Sequence, residues 1–400
     1  MSQPTTGADR TVIAAVLAAV LGWIGVVGIA LQLGANGALG FDMELLLDAA
    51  RDLAAGRSPY AADLLGGGAP VSTDLFYSYP PPVGQALIPF ATLSLVPMLV
   101  LWDALAVVGL LVVVDRLRRV LAPDRSAIAV LAITAAAAPL TLPFAVGLLF
   151  GNLDVFFPLL YGVMLLASLA PTTASTASAG AALALASLKI HPASMGLWFA
   201  VRAFADSSSG AARVVVAAVA AAVAILIASI GLGGVERWVE YGAVVRAGTD
   251  AVIVDPRNAG PAALLVGAIG GDDALARGIH IGVGFAAVVL TVWAGWRRRD
   301  PLEGFAWATA ASLATLPVTW YHYPSALLPV AIAAWLRARP DARRRVALTL
   351  VAAEIVAAAA LVALPLLWVA IGCVILATRW SRPDAMMASA RAPAPSRGAG

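Results

Sequence analysis

The chain has 400 residues, of which 61% are hydrophobic and only 12% charged, with a mean hydropathy of +0.89 and a formal net charge of +3. Soluble domains carry about 25% charged residues. This composition therefore excludes a water-soluble globular domain and calls for repeated apolar runs of about 20 residues, each able to cross a ~30 Å hydrocarbon core. The small positive balance is no nucleic-acid footprint, because the arginines flank the apolar runs, and the single cysteine, Cys373, excludes an intrachain disulfide and a cysteine metal cluster.

The first apolar run, Thr11–Leu33, is too long for a signal-peptide core and reads as a retained span. Arginine groups at 116–125, 202–213, 297–299 and 337–345, and at Arg379 and Arg382, fix one side of the membrane as cytoplasmic. Parity then orders the chain. Residues 11–34 run outward, and 35–80 form a first outer loop with an interfacial helix over Phe41–Tyr60. Residues 81–115 return through a short re-entrant piece and one full span. Residues 126–143 run outward, 144–152 form a short outer loop, and 153–170 come back. Residues 176–204 start and end inside, as a pair of short helices broken near His191 and Pro192. Residues 211–233 go out, 234–275 form a second outer loop with a short apolar piece at Ala259–Ile269, and 277–296 return. Residues 303–319 and 324–336 flank the turn Trp320–Pro324. A last hairpin over 346–378 turns near Pro365. The expected architecture is an all-α integral membrane domain over residues 1–380, with 10 to 12 membrane helices, followed by a disordered cytoplasmic tail over 381–400 rich in Ala, Pro, Ser and Arg.

The acidic residues gather on the side opposite the arginines, which makes the outer face the economical place for a reaction site. Asp42 stands at the start of the interfacial helix. It reads either as a helix cap or as a general base at the membrane surface. Tyr77 and Tyr79 lie in FYSYPPP, whose prolines enforce an extended approach to the membrane; they read as interfacial anchors or as substrate contacts. Asn152 and Asp154 open a helix from the outer side in GNLD, with Asp154 reading as a cap or as a site residue. Lys189 is the only lysine in the chain, placed in SLKIHP inside an apolar hairpin. Ionisable groups at such depth are costly and mark sites or pathways, whereas snorkelling to the interface is the plainer account. With His191 beside it, Lys189 suits an anionic headgroup such as a phosphate. Arg257 and Asn258 stand in RNAGPAALL of the second outer loop, and His322 and Tyr323 in the aromatic turn WYHYP. No HExxH, P-loop, GxSxG or Cys/His metal spacing occurs, so no metal or other cofactor is expected, although a divalent ion on the outer carboxylates stays open.

Taken in order, DAARDLAAGRSPY, YSYPPP, GNLD, SLKIHP, RNAGPAALL and WYHYPSALLP resemble glycosyltransferase family 87, a group of polyprenol-phosphate-mannose-dependent alpha-mannosyltransferases in the GT-C superfamily; the likeness spans about residues 11–335. The resemblance implies a GT-C-type helical bundle in the plasma membrane, with its site under the first outer loop on the extracytoplasmic face. It implies a polyprenyl-phosphate sugar donor, a lipid or glycan acceptor and inversion at the sugar. Carried onto this sequence, the catalytic acid falls at Asp42. The donor phosphate falls to Lys189, His191, His322 and Arg257. Substrate contacts fall to Tyr77, Tyr79, Asn152, Asp154, Asn258 and Tyr323. A secondary transporter of a small anionic or sugar-like solute, which also uses broken helices and intramembrane charge, is the alternative. The topology is open to test. Cysteines introduced near Gly67 and Thr249 should be labelled by an impermeant reagent from outside the cell, and those near Ser126 only after permeabilisation; outside labelling at Ser126 would overturn the assigned sidedness.

Overall fold

The computed structural model describes residues 6–66, 76–138, 141–189, 193–297 and 300–382, and among these no strand occurs. The helices are α1 (Thr6–Ala35), α2 (Phe41–Ala54), α3 (Ala62–Leu65), α4 (Pro81–Leu87), α5 (Leu95–Leu121), α6 (Ala127–Ala137), α7 (Leu142–Phe150), α8 (Phe157–Leu169) and α9 (Thr173–Ala186). They continue with α10 (Ala193–Ala205), α11 (Ala211–Gly233), α12 (Glu236–Val252), α13 (Pro261–Ile269), α14 (Asp273–Arg297), α15 (Pro301–Ala314), α16 (Leu328–Arg337), α17 (Pro340–Ala359) and α18 (Leu366–Trp380). This is an all-α membrane protein. Among the described residues α5, α11 and α14 are each long and apolar enough to cross a bilayer, and the pair α6–α7, bent by 72°, adds a fourth crossing if taken as one span.

The described helices follow the expected order of apolar segments; α12 adds a helix to the stretch 234–275, where only the short piece at Ala259–Ile269 was expected, and three further differences are local. Residues 144–152 are not a loop: α7 continues to Phe150 and the chain turns only at Gly151. Nine apolar residues preceded by a bend cannot be told from a buried loop by hydropathy alone. Asp154 does not cap α8, which begins at Phe157; it sits in a 3₁₀ turn over Leu153–Phe156 that Asn152 caps. The first two residues of the stretch expected as a disordered tail, Ser381 and Arg382, are instead packed against the bundle. Ser381 is buried and accepts from Arg337, and Arg382 contacts Asp300 and Glu303; residues 383–400 lie outside the described residues.

Close helix approach depends on small residues, as it must where lipid supplies no hydrophobic drive between helices. On α9, a Cβ added at Gly180 would lie 2.4 Å from the Cβ of Ala217 on α11, so the two helices pack nearly backbone to backbone. The core beside them is aromatic. Tyr161 of α8 meets Phe305 of α15 edge-on at 6.2 Å, Phe305 meets Trp198 of α10 at 5.5 Å, and the Tyr161 hydroxyl lies 3.3 Å from Ser312 Oγ. The outward faces of α11 and α14 carry exposed Val216, Ile227, Ile281 and Phe285, as lipid-facing surfaces should.

One end of the bundle is held by ion pairs. Asp115 pairs with Arg118 and Arg119 at the end of α5. Arg125 donates to the carbonyls of Trp335 and Ala338 and lies over the Trp335 ring. Arg337 at the end of α16 forks onto both oxygens of the buried Asp300, at 2.7 and 3.0 Å. A polar anchor of this kind gives the buried Asp300 carboxylate its counter-charge. Because α9 ends on the 3₁₀ turn that carries Lys189, its seat against α11 also sets the opposite end of the molecule. Replacing Gly180 by isoleucine should lower the thermal unfolding midpoint in detergent by the equivalent of roughly 1–3 kcal/mol of overpacking. Gly231→Ile, on the same α11 but facing open space, should stay near wild type.

Candidate active site

The site is assembled at the end of the bundle away from the arginines: His322 occupies the N-cap of the 3₁₀ turn that Tyr323 opens, and this turn leads into α16, whose far end is Arg337. Two glycines in the left-handed region bring its first pieces together. Gly40 (φ +67°) starts α2, and its N–H donates to Leu149 O at 2.9 Å, tying the first turn of α2 to the end of α7. Gly151 (φ +67°) ends α7, where a Cβ would stand 2.6 Å from Met43 Cβ and 2.8 Å from Leu99 Cδ1. Only glycine meets both demands, the positive φ and the close approach. The capping reading of Asp42 fails here. Gly40 occupies the N-cap, no side chain caps α2, and Asp42 lies within the first helical turn.

Its carboxylate is directed elsewhere. Asp42 Oδ2 accepts from Asn152 Nδ2 at 2.7 Å. The other half of that amide, Asn152 Oδ1, accepts from Lys189 Nζ at 2.8 Å and from the Asp154 N–H at 3.0 Å. Lys189 Nζ also pairs with Asp154 Oδ1 at 2.8 Å, and His322 Nε2 lies 3.2 Å from Asp154 Oδ2. Asp42, Asn152, Lys189, Asp154 and His322 thus form one continuous chain of polar contacts. Asp154 is 0% exposed, Asn152 3% and His322 7%, and the Lys189 side chain 10%; Asp42 is only partly buried. The ammonium of Lys189 lies 4.7 Å from the ring centre of Tyr323 and 5.3 Å from that of Tyr79, within cation–π range. Lys189 therefore does not snorkel to the membrane edge: polar and aromatic groups surround it.

The other candidates divide. Tyr79 belongs to the cluster, and burial together with the Asp42 and Asp154 carboxylates pushes its phenol well above the ordinary value, so it stays neutral. Tyr77 touches the cluster only through its ring, 5.7 Å from that of Tyr79. Its hydroxyl donates to Pro80 O at 3.2 Å and accepts from the Gly84 N–H at 2.8 Å, which shapes the chain entering α4. Asn258 is likewise consumed by structure. Its amide donates to the carbonyls of Val252, Ile253 and Pro317 and accepts from the N–H groups of Gly260 and Thr319. It knots the second loop to the strip before His322 and is itself buried. Arg257 grips Asp255 on its own loop and lies 5.8 Å from the centre of the Trp320 ring. That contact holds the Asp255 carboxyl below its ordinary value, the hydrogen bonds from Arg257 being the chief cause. Asn152 and Asp154, expected as substrate contacts, instead organise the cluster from within it. His191 lies outside the described residues.

Three supporting residues were not singled out from sequence. Trp102 donates to Asn152 O at 3.2 Å, Ser325 Oγ donates to Asp154 O at 3.3 Å, and Tyr60 donates to Tyr79 O at 3.0 Å. Ser325 stands in WYHYPSALLP and Tyr60 in GRSPY, segments already marked, but nothing in the pattern assigns Trp102 such a bond.

A membrane-embedded helical bundle with a carboxylate, a lysine and a histidine gathered at one end defines a membrane protein built for chemistry on a polar group. Residues 77–319 match the model of glycosyltransferase family 87, more than half of the chain, and the protein belongs to that family; it is a membrane glycosyltransferase. The matched stretch includes Asn152, Asp154 and Lys189, whereas Asp42 and His322 lie outside it and join the cluster through their contacts with Asn152 and Asp154. No curated protein and no solved structure matches the chain.

The ion pair at the centre has a measurable consequence. Asp154→Leu leaves a nearly buried ammonium without its counter-charge and should destabilise the protein by about 3–5 kcal/mol. Adding Lys189→Met should recover much of that loss. Unfolding of the single and double variants in matched detergent measures the coupling; purely additive losses would show that the pair is not what holds the site.

Proposed function

We propose that the protein transfers a sugar, in the reading carried by the family resemblance mannose, from a polyprenyl phosphate to a hydroxyl of a lipid or glycan acceptor on the extracytoplasmic face of the plasma membrane. The observation that carries this reading is the contact chain from Asp42 to His322, which sets a partly exposed carboxylate and a fixed cation about one amide apart. Asp42 Oδ2 is engaged by Asn152, and its second oxygen is the base for the acceptor hydroxyl, since general-base transfer needs a carboxylate within hydrogen-bond reach of the proton it takes. An ammonium has three donors. With Asp154 and Asn152 as partners, Lys189 can direct a third at a phosphate oxygen, and His322 supplies a second donor as negative charge builds on the leaving phosphate. The sugar carbon then exchanges its bond to the phosphate oxygen for one to the acceptor oxygen in a single displacement, the proton passes to Asp42, and the anomeric centre inverts. Asp154 acts through its neighbours: it orients Lys189 and His322 and is shut off from the reactants.

The sidedness rests on the arginines. The site lies at the far end of α16 from Arg337, and cytoplasmic arginines put the site outside. A water-insoluble donor brings its phosphate to that level. The neutral rings of Tyr79 and Tyr323 beside Lys189 give the sugar and phosphate a surface without competing charge.

Membranes or nanodiscs supplied with radiolabelled polyprenyl-phosphate sugars test the reading. Asp42→Asn should lower the transfer rate by about 10²–10⁴-fold, the usual range for a lost general base, with unfolding unchanged. Lys189→Met should raise the donor concentration needed for half-maximal rate, while Lys189→Arg keeps part of the binding. Wild-type rates for Asp42→Asn would remove the base, and wild-type donor dependence for Lys189→Met would remove the phosphate contact.

A further inference from the structure

A second feature lies at the arginine end. α14, α15 and α18 leave a groove of about 580 Å³ between them, in the size range of small-molecule sites. Its walls are apolar, with Ala286, Ala310 and Gly372 setting small residues among larger ones such as Leu290, and with Trp368 towards the site end and Arg379 at the other. From Trp368 to Arg379 α18 rises by roughly 16 Å, at about 1.5 Å per residue, close to half of a ~30 Å hydrocarbon core. The groove therefore covers about one leaflet. Trp307 on its wall meets Trp293 edge-on at 6.0 Å, and Trp296 lies exposed one turn further along α14, as aromatic residues do at a membrane interface.

The mouth of the groove carries surplus positive charge. Two buried carboxylates, Asp300 and Glu303, face three guanidinium groups. Arg337 forks onto Asp300, Arg382 contacts both carboxylates, and Arg379 reaches Glu303 only at 3.8 Å with its side chain 57% exposed. Arg297, at the end of α14, adds a further positive charge on the same side. An apolar trough one leaflet long with a cation at its interfacial end matches one acyl chain and the phosphate of an anionic phospholipid.

We infer that this groove binds an anionic phospholipid of the leaflet at the arginine end, with an acyl chain between α14 and α18 and its phosphate on Arg379. The site is separate from the cluster around Lys189, at the other end of the bundle, and does not depend on the function proposed for that cluster. Gly372 offers a direct probe, because a Cβ there meets nothing within 4 Å. Gly372→Leu therefore extends a side chain from this open position into the trough.

The test is native mass spectrometry of the full chain in detergent, with added phosphatidylglycerol or phosphatidylcholine of the same acyl chains. Wild type should retain one phosphatidylglycerol in preference to phosphatidylcholine. Arg379→Gln should reduce that preference about fivefold, the effect of one interfacial cation on an anionic lipid, and Arg379→Lys should keep it. Gly372→Leu should weaken retention of both lipids. Equal retention of the two lipids by wild type, an unchanged preference in Arg379→Gln, or wild-type retention by Gly372→Leu would each overturn the assignment. So would a dimer that Gly372→Leu dissociates, because a second copy would then be the occupant. Failure of Arg379→Gln to fold leaves the wild-type preference and the Gly372→Leu result to decide.

Discussion

Asp154 is the constraint on which the candidate site depends. A carboxylate removed completely from water persists only if its charge is met at close range, and removing one partner of such a pair is far more damaging than never having built it. Here the partners come from two distant stretches of chain. Lys189 comes from the break between α9 and α10, and His322 from the turn before α16. Three segments more than 30 residues apart are therefore held to one point. The local geometry serves the same end: Asn152 accepts the Asp154 N–H, and Ser325 donates to the Asp154 carbonyl, so the backbone of the 3₁₀ turn is fixed along with its side chain.

The two ends of the bundle treat charge differently. At the arginine end, carboxylates and guanidiniums are paired at several points, and the pairs join α15, α16 and the start of the tail. Those contacts anchor helices. Within the cluster at the other end the charges are few, each has its neighbours defined, and Asp42 alone of its two carboxylates is partly exposed. A low-dielectric setting strengthens every fixed dipole that faces a reacting group. Few charges in defined positions suit a site, whereas many mutually compensated ones suit a clamp.

Much of this was legible in the sequence because the solvent imposes it. Apolar length, arginine placement and proline breaks gave the element order, and a lone lysine in an arginine-using chain pointed to Lys189 before any geometry was known. What stayed hidden were the side-chain partnerships. Asp42 looked like a cap because Asp favours that role, but Gly40 takes the cap through its backbone and frees the carboxylate. Asn258 looked like a site residue because it sits in a motif, and its five hydrogen bonds to backbone groups make it a knot instead. Residues 144–152 looked like a loop because hydropathy carries no sign of whether the short apolar stretch before Gly151 is coiled. In each case the missing information was a contact between residues remote in sequence.

Asn152 shows why such a contact matters to the chemistry. Asp42 and Lys189 carry opposite charges and would pair directly if they met, leaving neither for a substrate. The amide between them prevents this. Its NH₂ group can only donate and its oxygen only accept, so facing Nδ2 to Asp42 and Oδ1 to Lys189 is the one orientation in which both contacts attract. Turning it over would set donor against ammonium and acceptor against carboxylate. The orientation is thus fixed by the charges on either side, and it holds the two groups apart while keeping both ordered. In the proposed reaction, that leaves one oxygen of Asp42 for a hydroxyl proton and one ammonium hydrogen for a phosphate. A direct ion pair would have satisfied the buried charge equally well, but it would have closed the site.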